Sequence, residues 1–269
     1  MYPLKYFLLA GISMRIVIKI GTSTLTHNNG SVNIRGMESL CKIISDIKNA
    51  GHEIILVSSG AIGMGTAKLN LKERPKDIAG KQAAAAVGQC ELMYLYDKEF
   101  GAYHHTVAQL LLTAPDLKTP DRHEKFENTM SRLIELGALP IINENDTVAT
   151  EEIVFGDNDT LAALVSESVK ADLLILLSDI DGLYTSDPKK DKNAKLISEV
   201  HEITPEIEAL SGGAGSEHGT GGMITKIRAA KIATEAGCDM IIANGAYPEI
   251  LYDITDGKAI GTKFFRKAK

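Results

Sequence analysis

The sequence lacks the features that mark several classes of protein. Its 269 residues contain no run of about 18 apolar residues, so we expect no membrane-spanning helix. Lysine and arginine are scattered without a basic block, the net charge is −6 and the pI is about 5.7, so nucleic-acid binding has little electrostatic support. No repeat or low-complexity linker occurs, and the composition, 44% hydrophobic and 24% charged, is typical of a globular protein.

Cysteine and metal-ligand patterns are also scarce. The three cysteines, Cys41, Cys90 and Cys238, lie far apart without paired spacing, which argues against a disulfide framework or a zinc site and favours a reducing cytoplasm. We predict that all three are small buried hydrophobes. The histidines show no metal-ligand spacing, and we assign no role to His218 although it lies in a glycine-rich loop.

The N-terminal segment resembles a signal peptide only weakly. Residues 1–13, MYPLKYFLLAGIS, carry one lysine and a short apolar run, but no A-x-A site follows and MRIVIKIG begins at once at Met14. We therefore expect an N-terminal extension over 1–13 and a single domain over 14–269.

Apolar runs of strand length alternate with amphipathic runs of helix length. The predicted strands are 15–20, 53–58, 105–112, 138–142, 172–177 and 239–243, and the predicted helices are 35–50, 79–100, 122–136, 160–169 and 224–236. Several strands are apolar throughout, which is typical of parallel strands covered by helices on both faces. The pattern predicts an α/β sandwich, with the polar segment 185–195 as a surface loop or a lid.

Polar residues follow the predicted strands. The segments after five of them are KIGTSTL, SSGAIGMG, NENDTV, SDIDGLYTSDP and NGA. Any one of these is ordinary turn chemistry. Because ligands of open α/β sheets bind beyond the carboxyl ends of the strands, five such endings on one edge predict a binding site.

Two features at these strand ends each allow two interpretations. Lys19 lies in an apolar strand, either as an edge or snorkelling lysine or as a cation aimed at an anion held by the amides of residues 21–23. Ser58, Ser59 and Gly60 form either a plain strand-to-helix turn or a close approach to a negatively charged ligand.

A second glycine-rich segment, residues 219–230, also leads into a helix. It matches neither GxxxxGK[ST] nor GxGxxG, so the sequence supports neither a Walker loop nor a dinucleotide fingerprint. We expect Ile224, Ile227, Ala230 and Ala233 to form its buried stripe and Lys226 to point away from that stripe. Lys226 is then either a solvated lysine or a cation facing a bound phosphate, which would relieve its conflict with the helix dipole.

The acidic segments INENDTV and FGDND carry more oxygen than a turn requires. One of Asp157, Asn158 and Asp159 is enough to cap the helix that follows. Asp146 is a further acid beyond the needs of its own turn. These side chains are therefore candidates for contact with a ligand.

Seven segments together resemble the amino acid kinase superfamily and, within it, the glutamate 5-kinase family. They are VIKIGTSTLT, VSSGAIGMG, KQAAAAVGQ, INENDTVAT, FGDNDTLAALV, LLSDIDGLYTSDP and GTGGMITKIRAA. The resemblance runs from about Arg15 to Gly261 and implies one three-layer α/β/α domain around a mainly parallel sheet. Members often carry a C-terminal PUA domain, which we expect to be absent because the chain ends soon after GTKFF.

The resemblance implies ATP-dependent phosphorylation of the side-chain carboxylate of L-glutamate, with Mg²⁺, as the first step of proline biosynthesis. By motif position, Lys19 and Lys226 would contact the transferring phosphoryl group and Asp159 would organise the two lysines. The side-chain carboxyl of glutamate has an ordinary pKa of about 4.3 and is already ionised at pH 7, so no general base is needed.

The resemblance also implies the residues of the two substrates. Ser59, Asp146 and Asn158 would hold glutamate, with Asp146 and Asn158 accepting from its α-ammonium. The implied nucleotide-binding residues are Lys19, Ser178, Asp179, Thr220, Gly221, Gly222, Met223, Ile224, Thr225 and Lys226, and no residue is assigned as a metal ligand. Proline feedback inhibition and a homo-oligomer, a dimer or a tetramer, are implied as well.

Two other functions stay open from the sequence. One is a related kinase of the same fold, such as an acetylglutamate kinase, whose substrate amine is blocked. The other is a non-catalytic sensor of amino acids or nucleotides, against which the joint presence of Lys19, Lys226 and Asp159 argues.

Overall fold

The computed structural model describes residues 13–27, 30–148, 157–210 and 222–267. The expected extension over 1–13 falls outside these residues except for Ser13, and so do His218, Thr220 and Gly221. Within the described ranges, no helix is both long and apolar enough to cross a membrane.

The strands of the described chain are mostly six residues long and close to the predicted bounds. They are β1 (Arg15–Ile20), β2 (Glu53–Ser58), β3 (Val107–Leu112), β4 (Leu139–Glu144), β5 (Leu173–Ser178), β6 (Leu183–Tyr184), β7 (Leu196–Ile197), β8 (Glu199–Val200), β9 (Asp239–Asn244) and β10 (Thr262–Phe264). All six predicted strands are confirmed, and the sequence analysis missed β6, β7, β8 and β10, which have only two or three residues each.

The predicted helices are also confirmed, with ends that differ by one or two residues. The helices are α1 (Thr22–Leu25), α2 (Ile34–Asn49), α3 (Ala61–Lys68), α4 (Ile78–Gly101), α5 (Ala114–Lys118), α6 (Pro120–Glu135), α7 (Asn158–Ser168), α8 (Pro205–Ala209), α9 (Met223–Glu235) and α10 (Ile250–Thr255). Asn33 caps α2 by accepting from the Gly36 amide, and Asp77 caps α4 by accepting from the Gly80 amide.

One eight-stranded sheet runs through the molecule in the order β3-β4-β2-β1-β5-β9-β10-β8. The first six strands in this order (β3, β4, β2, β1, β5 and β9) are parallel, whereas β10 pairs antiparallel with β9 and parallel with β8. Strand β1 lies in the interior between β2 and β5, where the chain order reverses, and such a switch point is where open α/β sheets bind ligands.

Helices cover both faces of the sheet, which gives the three layers implied by the resemblance. On one face Ile16, Ile18 and Ile20 pack with buried residues of α2, α4 and α10. On the other face Val17 packs with buried residues of α6, α7 and α9. Because side chains alternate along a strand, Lys19 shares the face of Val17 and projects toward α7 and α9.

The prediction for the cysteines is correct for two of the three. Cys41 and Cys238 are buried, but Cys90 is exposed on α4. The prediction failed there because α4 buries one face only: Gly88, Gln89 and Leu92 are buried, while Cys90 lies on the other side of the helix.

Candidate active site

The polar segments after the parallel strands meet at one edge of the sheet, as predicted. The Gly21 amide, just after β1, donates to the Leu177 carbonyl of β5 (3.3 Å), and the Gly245 amide after β9 donates to the Ser178 carbonyl (2.8 Å). These bonds join the carboxyl ends of three neighbouring strands. The edge therefore brings together loops that are far apart in the sequence.

Lys19, Asp159 and Lys226 form a buried cluster at this edge, which we call the lysine triad. Lys19 Nζ lies 2.8 Å from Asp159 Oδ1 as an ion pair, and Lys226 Nζ donates to Asp159 Oδ2 at 3.0 Å. Burial alone would raise the pKa of Asp159, but the charges of both lysines outweigh it and hold the pKa below its usual value. Three chain segments thus place two ammonium groups on either side of one carboxylate.

The lysine triad corrects the predicted facing of Lys226 and Ile224, and it decides between the two interpretations of Lys19. Lys226 does not point into solvent: it is 3% exposed, whereas Ile224, expected in the buried stripe, is 56% exposed. In the first turn of α9, Met223 packs against the apolar core while Lys226 meets Asp159, and the buried apolar residues begin at Ile227. Lys19 is not an edge lysine, since β1 is an interior strand with a buried partner for its charge.

The start of α7 carries three consecutive polar residues, and each makes a different set of contacts. Asp157 is the helix cap and accepts from the Thr160 amide at 2.8 Å, and burial raises its pKa. Asp159 belongs to the lysine triad. Asn158 turns toward β2 and β4 instead, so the excess of oxygen in this turn is explained by contacts in two directions.

Asn158 is held by three acceptors. Its side-chain nitrogen lies 2.7 Å from the Ser58 carbonyl, 2.8 Å from Ser59 Oγ and 3.0 Å from Asn143 Oδ1, and these three acceptors share its two hydrogens. Two of the residues implied for glutamate, Ser59 and Asn158, are therefore in direct contact. Asn143 was not singled out from the sequence, although it lies in the INENDTV segment whose polar content was noted.

Two further residues support this region from α4. Gln89 Oε1 accepts from Asn143 Nδ2 at 2.9 Å, and the Tyr96 hydroxyl lies 2.8 Å from Ser58 Oγ in a fully buried contact. Neither residue was assigned a role from the sequence: Gln89 ends the KQAAAAVGQ segment and Tyr96 follows in the same predicted helix, and neither shows its partner in a short window. Gly60 adopts a φ of 100°, which lets β2 turn sharply into α3.

Asp146 lies in the turn that follows β4, half-buried beside this region. Burial raises its pKa, and the nearby charge of Arg74, in the connection from α3 to α4, opposes that rise. The acid is therefore at the predicted edge, close to a cation that the sequence analysis did not consider.

Of the residues implied for the nucleotide, Ser178 and Asp179 lie at the end of β5, and those from Gly222 to Lys226 lie at the start of α9. Ser178 is buried and donates to Asp179 Oδ1 at 3.1 Å, while Asp179 is exposed. Thr225 Oγ1 donates to the Gly222 carbonyl (2.7 Å) and lies 3.0 Å from Asp159 Oδ2. Thr225 thus links this loop to the lysine triad.

The segment 185–195 connects the two strands of the β6–β7 hairpin. The Thr185 amide donates to the Lys195 carbonyl at 2.9 Å, and Ser186 Oγ donates to Asp191 Oδ2 at 2.7 Å. These bonds hold the base and the middle of the connection.

The donor set does not form a protein cage for a metal ion. Among the described residues, no three histidine, cysteine or acidic side chains cluster closely enough to hold one. Mg²⁺ does not require such a cluster, because it keeps much of its hydration and is commonly held by substrate phosphates with one or two carboxylates. Asp179, directly after β5, offers an exposed carboxylate among the residues implied for the nucleotide.

Comparison with known proteins identifies the family of the chain. The model of the amino acid kinase family matches residues 14–244. A protein named glutamate 5-kinase from Clostridium perfringens is 56% identical over 259 residues, covering 95% of this chain and 96% of that relative. Glutamate 5-kinase from Listeria monocytogenes is 52% identical, covering 95% of this chain and 94% of the relative.

Solved structures share the fold at low sequence identity. Carbamate kinase from Giardia lamblia bound to AMP-PNP superposes with a TM-score of 0.67 at 16% identity, covering 95% of this chain and 99% of that one. UMP kinase from Ureaplasma parvum gives a TM-score of 0.64 at 16% identity, covering 94% and 99%. The chain belongs to the amino acid kinase family and, within it, to the group of the glutamate 5-kinases.

Proposed function

We infer that this protein transfers the terminal phosphoryl group of ATP to the side-chain carboxylate of L-glutamate, giving ADP and L-glutamyl 5-phosphate, the first step of proline biosynthesis. The observation that carries the inference is the convergence of Lys19 and Lys226 on Asp159 at the ligand-binding edge of the sheet. The names of the relatives at 52–56% identity support the same reaction.

The chemistry calls for positive charge more than for a base. The acceptor is a carboxylate and is ionised at pH 7, so a carboxylate oxygen attacks phosphorus directly and ADP leaves. The difficulty is that one anion must approach a polyanion. Positioned cations supply most of the catalysis in such transfers, and we assign that task to Lys19 and Lys226.

Asp159 acts by orientation. Its pKa lies below the usual value, so it stays ionised and holds both lysine side chains within 3.0 Å. Removing one member of a buried ion pair typically costs about 3–5 kcal/mol, so the carboxylate fixes the positions of the lysines firmly. A general base is not required of it.

The amino acid would bind on the side of α7 that faces the ends of β2 and β4. Ser59 lies in the turn after β2 and Asp146 in the turn after β4, and Asn158 of α7 contacts Ser59. We propose that Asp146 and the side-chain oxygen of Asn158 accept from the α-ammonium of glutamate. A substrate with a blocked amine would have less use for the acid at Asp146, which argues against an acetylglutamate kinase.

The nucleotide would bind at the end of β5 and the start of α9. We propose that Ser178, Asp179 and the segment 220–226 hold it, with the amides at the start of α9 and Lys226 facing its phosphates. Mg²⁺, when bound, would neutralise part of the phosphate charge, held by the phosphates with Asp179 as the available carboxylate. Lys19 would reach the same phosphates from β1.

Two expectations about partners remain proposals. We propose that proline inhibits the enzyme by feedback and that the chain forms a dimer or a tetramer. We also keep the cytoplasm as the proposed compartment. These rest on the resemblance and on the scarcity of cysteine.

The test is to trap the acyl phosphate. Purified protein with ATP, Mg²⁺ and glutamate should release ADP, and added hydroxylamine should convert the product to glutamyl hydroxamate with release of phosphate. Acetylglutamate, aspartate and UMP serve as competing substrates. A clear preference for one of these would establish a related kinase, and ATP binding without ADP release in the presence of glutamate would establish a sensor.

A further inference from the structure

We propose that Gln89 of α4 is a positioning residue for the amino-acid half of the site, and that it acts through Asn143 to orient the side chain of Asn158. The inference deepens the proposed function and rests on it. We call Gln89, Asn143 and Asn158 the amide relay.

The relay is a continuous chain of hydrogen bonds across three elements. Asn143 Nδ2 of β4 donates to Gln89 Oε1 at 2.9 Å, and Asn158 Nδ2 of α7 donates to Asn143 Oδ1 at 3.0 Å. Gln89 is 8% exposed and Asn143 is 3% exposed, so water does not readily replace either contact. Buried side-chain amides held in this way have defined orientations.

Two backbone groups determine the direction of every bond in the relay. The Glu144 amide can only donate, and it donates to Asn143 Oδ1 at 2.9 Å. The Ser58 carbonyl can only accept, and it accepts from Asn158 Nδ2 at 2.7 Å. Reversing Asn143 would place two donors face to face, and reversing Asn158 would place two acceptors face to face. The carbonyl oxygen of Gln89, not its NH₂ group, must therefore face Asn143.

The direction of the relay has a consequence for the ligand. With its nitrogen committed to the relay, Asn158 can offer its side-chain oxygen as an acceptor for an ammonium group. Ser59 Oγ lies 2.8 Å from Asn158 Nδ2 and shares one of its two hydrogens as an acceptor, so its own hydroxyl hydrogen can be donated to a carboxylate. The relay thus presents one acceptor and one donor, the pair that a zwitterionic amino acid requires.

Helix α4 is rigidly placed to support the relay. Gly88, beside Gln89, packs so tightly on α3 that a Cβ there would overlap the Ala61 carbonyl oxygen. Tyr96, seven residues after Gln89 and on the same helix face, contacts Ser58. The helix therefore supports the turn after β2 at a second point as well.

The test compares two substitutions of nearly equal size. Gln89→Met removes the acceptor, and we expect the KM for glutamate to rise about tenfold, the effect of losing one hydrogen bond, while the KM for ATP stays within about twofold. Gln89→Glu keeps an oxygen facing Asn143, and we expect its KM for glutamate to stay within about threefold of wild type.

A destabilised control separates positioning from folding. Phe100→Leu removes packing from the far end of the same helix, and we expect a lower Tm with unchanged KM values for both substrates. An unchanged KM for glutamate in Gln89→Met would overturn the relay, as would an equal rise for ATP or a Gln89→Glu enzyme as impaired as Gln89→Met. If wild-type protein forms no hydroxamate from glutamate, the proposed function itself fails, and the relay fails with it.

Discussion

The two halves of the site differ in how they are built. The lysine triad is charged and holds two ammonium groups around one carboxylate. The amide relay consists of neutral side chains joined by directional hydrogen bonds. Adjacent residues of α7 serve them, Asp159 for the triad and Asn158 for the relay.

This difference matches two physical tasks. Fixed cations stabilise the negative charge of the phosphoryl group during transfer. This effect does not depend on which molecule carries the accepting carboxylate. Recognition of an amino acid depends on donors and acceptors that face the right way, because an unpaired buried group is costly. We therefore expect changes in the triad to lower kcat and changes around the relay to raise one KM.

The largest expected effect comes from the triad. We expect Lys226→Met, which keeps the volume and removes the charge, to lower kcat by about two to three orders of magnitude in a folded protein. Lys231→Met is the matched control, because Lys231 lies on the same helix but pairs with Glu208 at the surface. Circular dichroism checks the fold, and near-wild-type turnover of Lys226→Met would remove Lys226 from catalysis.

A smaller and more selective effect is expected from Asp146. We predict that Asp146→Ala raises the KM for glutamate by about tenfold or more, since a hydrogen bond to a charged group is lost, and leaves the KM for ATP nearly unchanged. Steady-state kinetics with each substrate varied in turn give both values. Equal increases in the two KM values would refute the assignment of Asp146 to the amino acid.

The smallest effect is a dependence on pH. Burial raises the pKa of Asp146, with Arg74 opposing, so its ionised fraction decreases at a higher pH than for an exposed aspartate. Loss of the negative charge weakens binding of the α-ammonium, and the KM for glutamate should therefore rise as the pH is lowered, beginning at a higher pH than an exposed aspartate would give. Asp146→Asn, which cannot ionise, should show a flatter profile; identical profiles would exclude Asp146 as the titrating group.

Much of the fold could be predicted because burial imposes a local pattern. The strands β1, β2, β4, β5 and β9 are apolar runs buried between two layers of helices, and that composition is visible in short windows. The four shortest strands have two or three residues, too few to show a local pattern, and β8 and β10 pair with each other across more than 60 residues of sequence.

The location of the site could be predicted from the sequence, but the directions of several of its side chains could not. Lys19, Asp159 and Lys226 were named correctly as neighbours, yet the facing of Ile224 and Lys226 was wrong. Lys226 lies four and seven residues before Ala230 and Ala233, on the same buried face, and the carboxylate that compensates its charge lies 67 residues earlier in the chain. Gln89 and Asn143 were missed for a similar reason: each looks like an ordinary residue until β4 and α4 are packed together.

The adjacency of Asn158 and Asp159 has a consequence for redesign. Any shift in the first turn of α7 moves both side chains, so altering that turn to admit a new acceptor would also disturb the cations needed for turnover. An engineer who wants a different acceptor should leave α7 intact and vary the turns after β2 and β4, keeping the Ser58 and Asn143 contacts that hold Asn158.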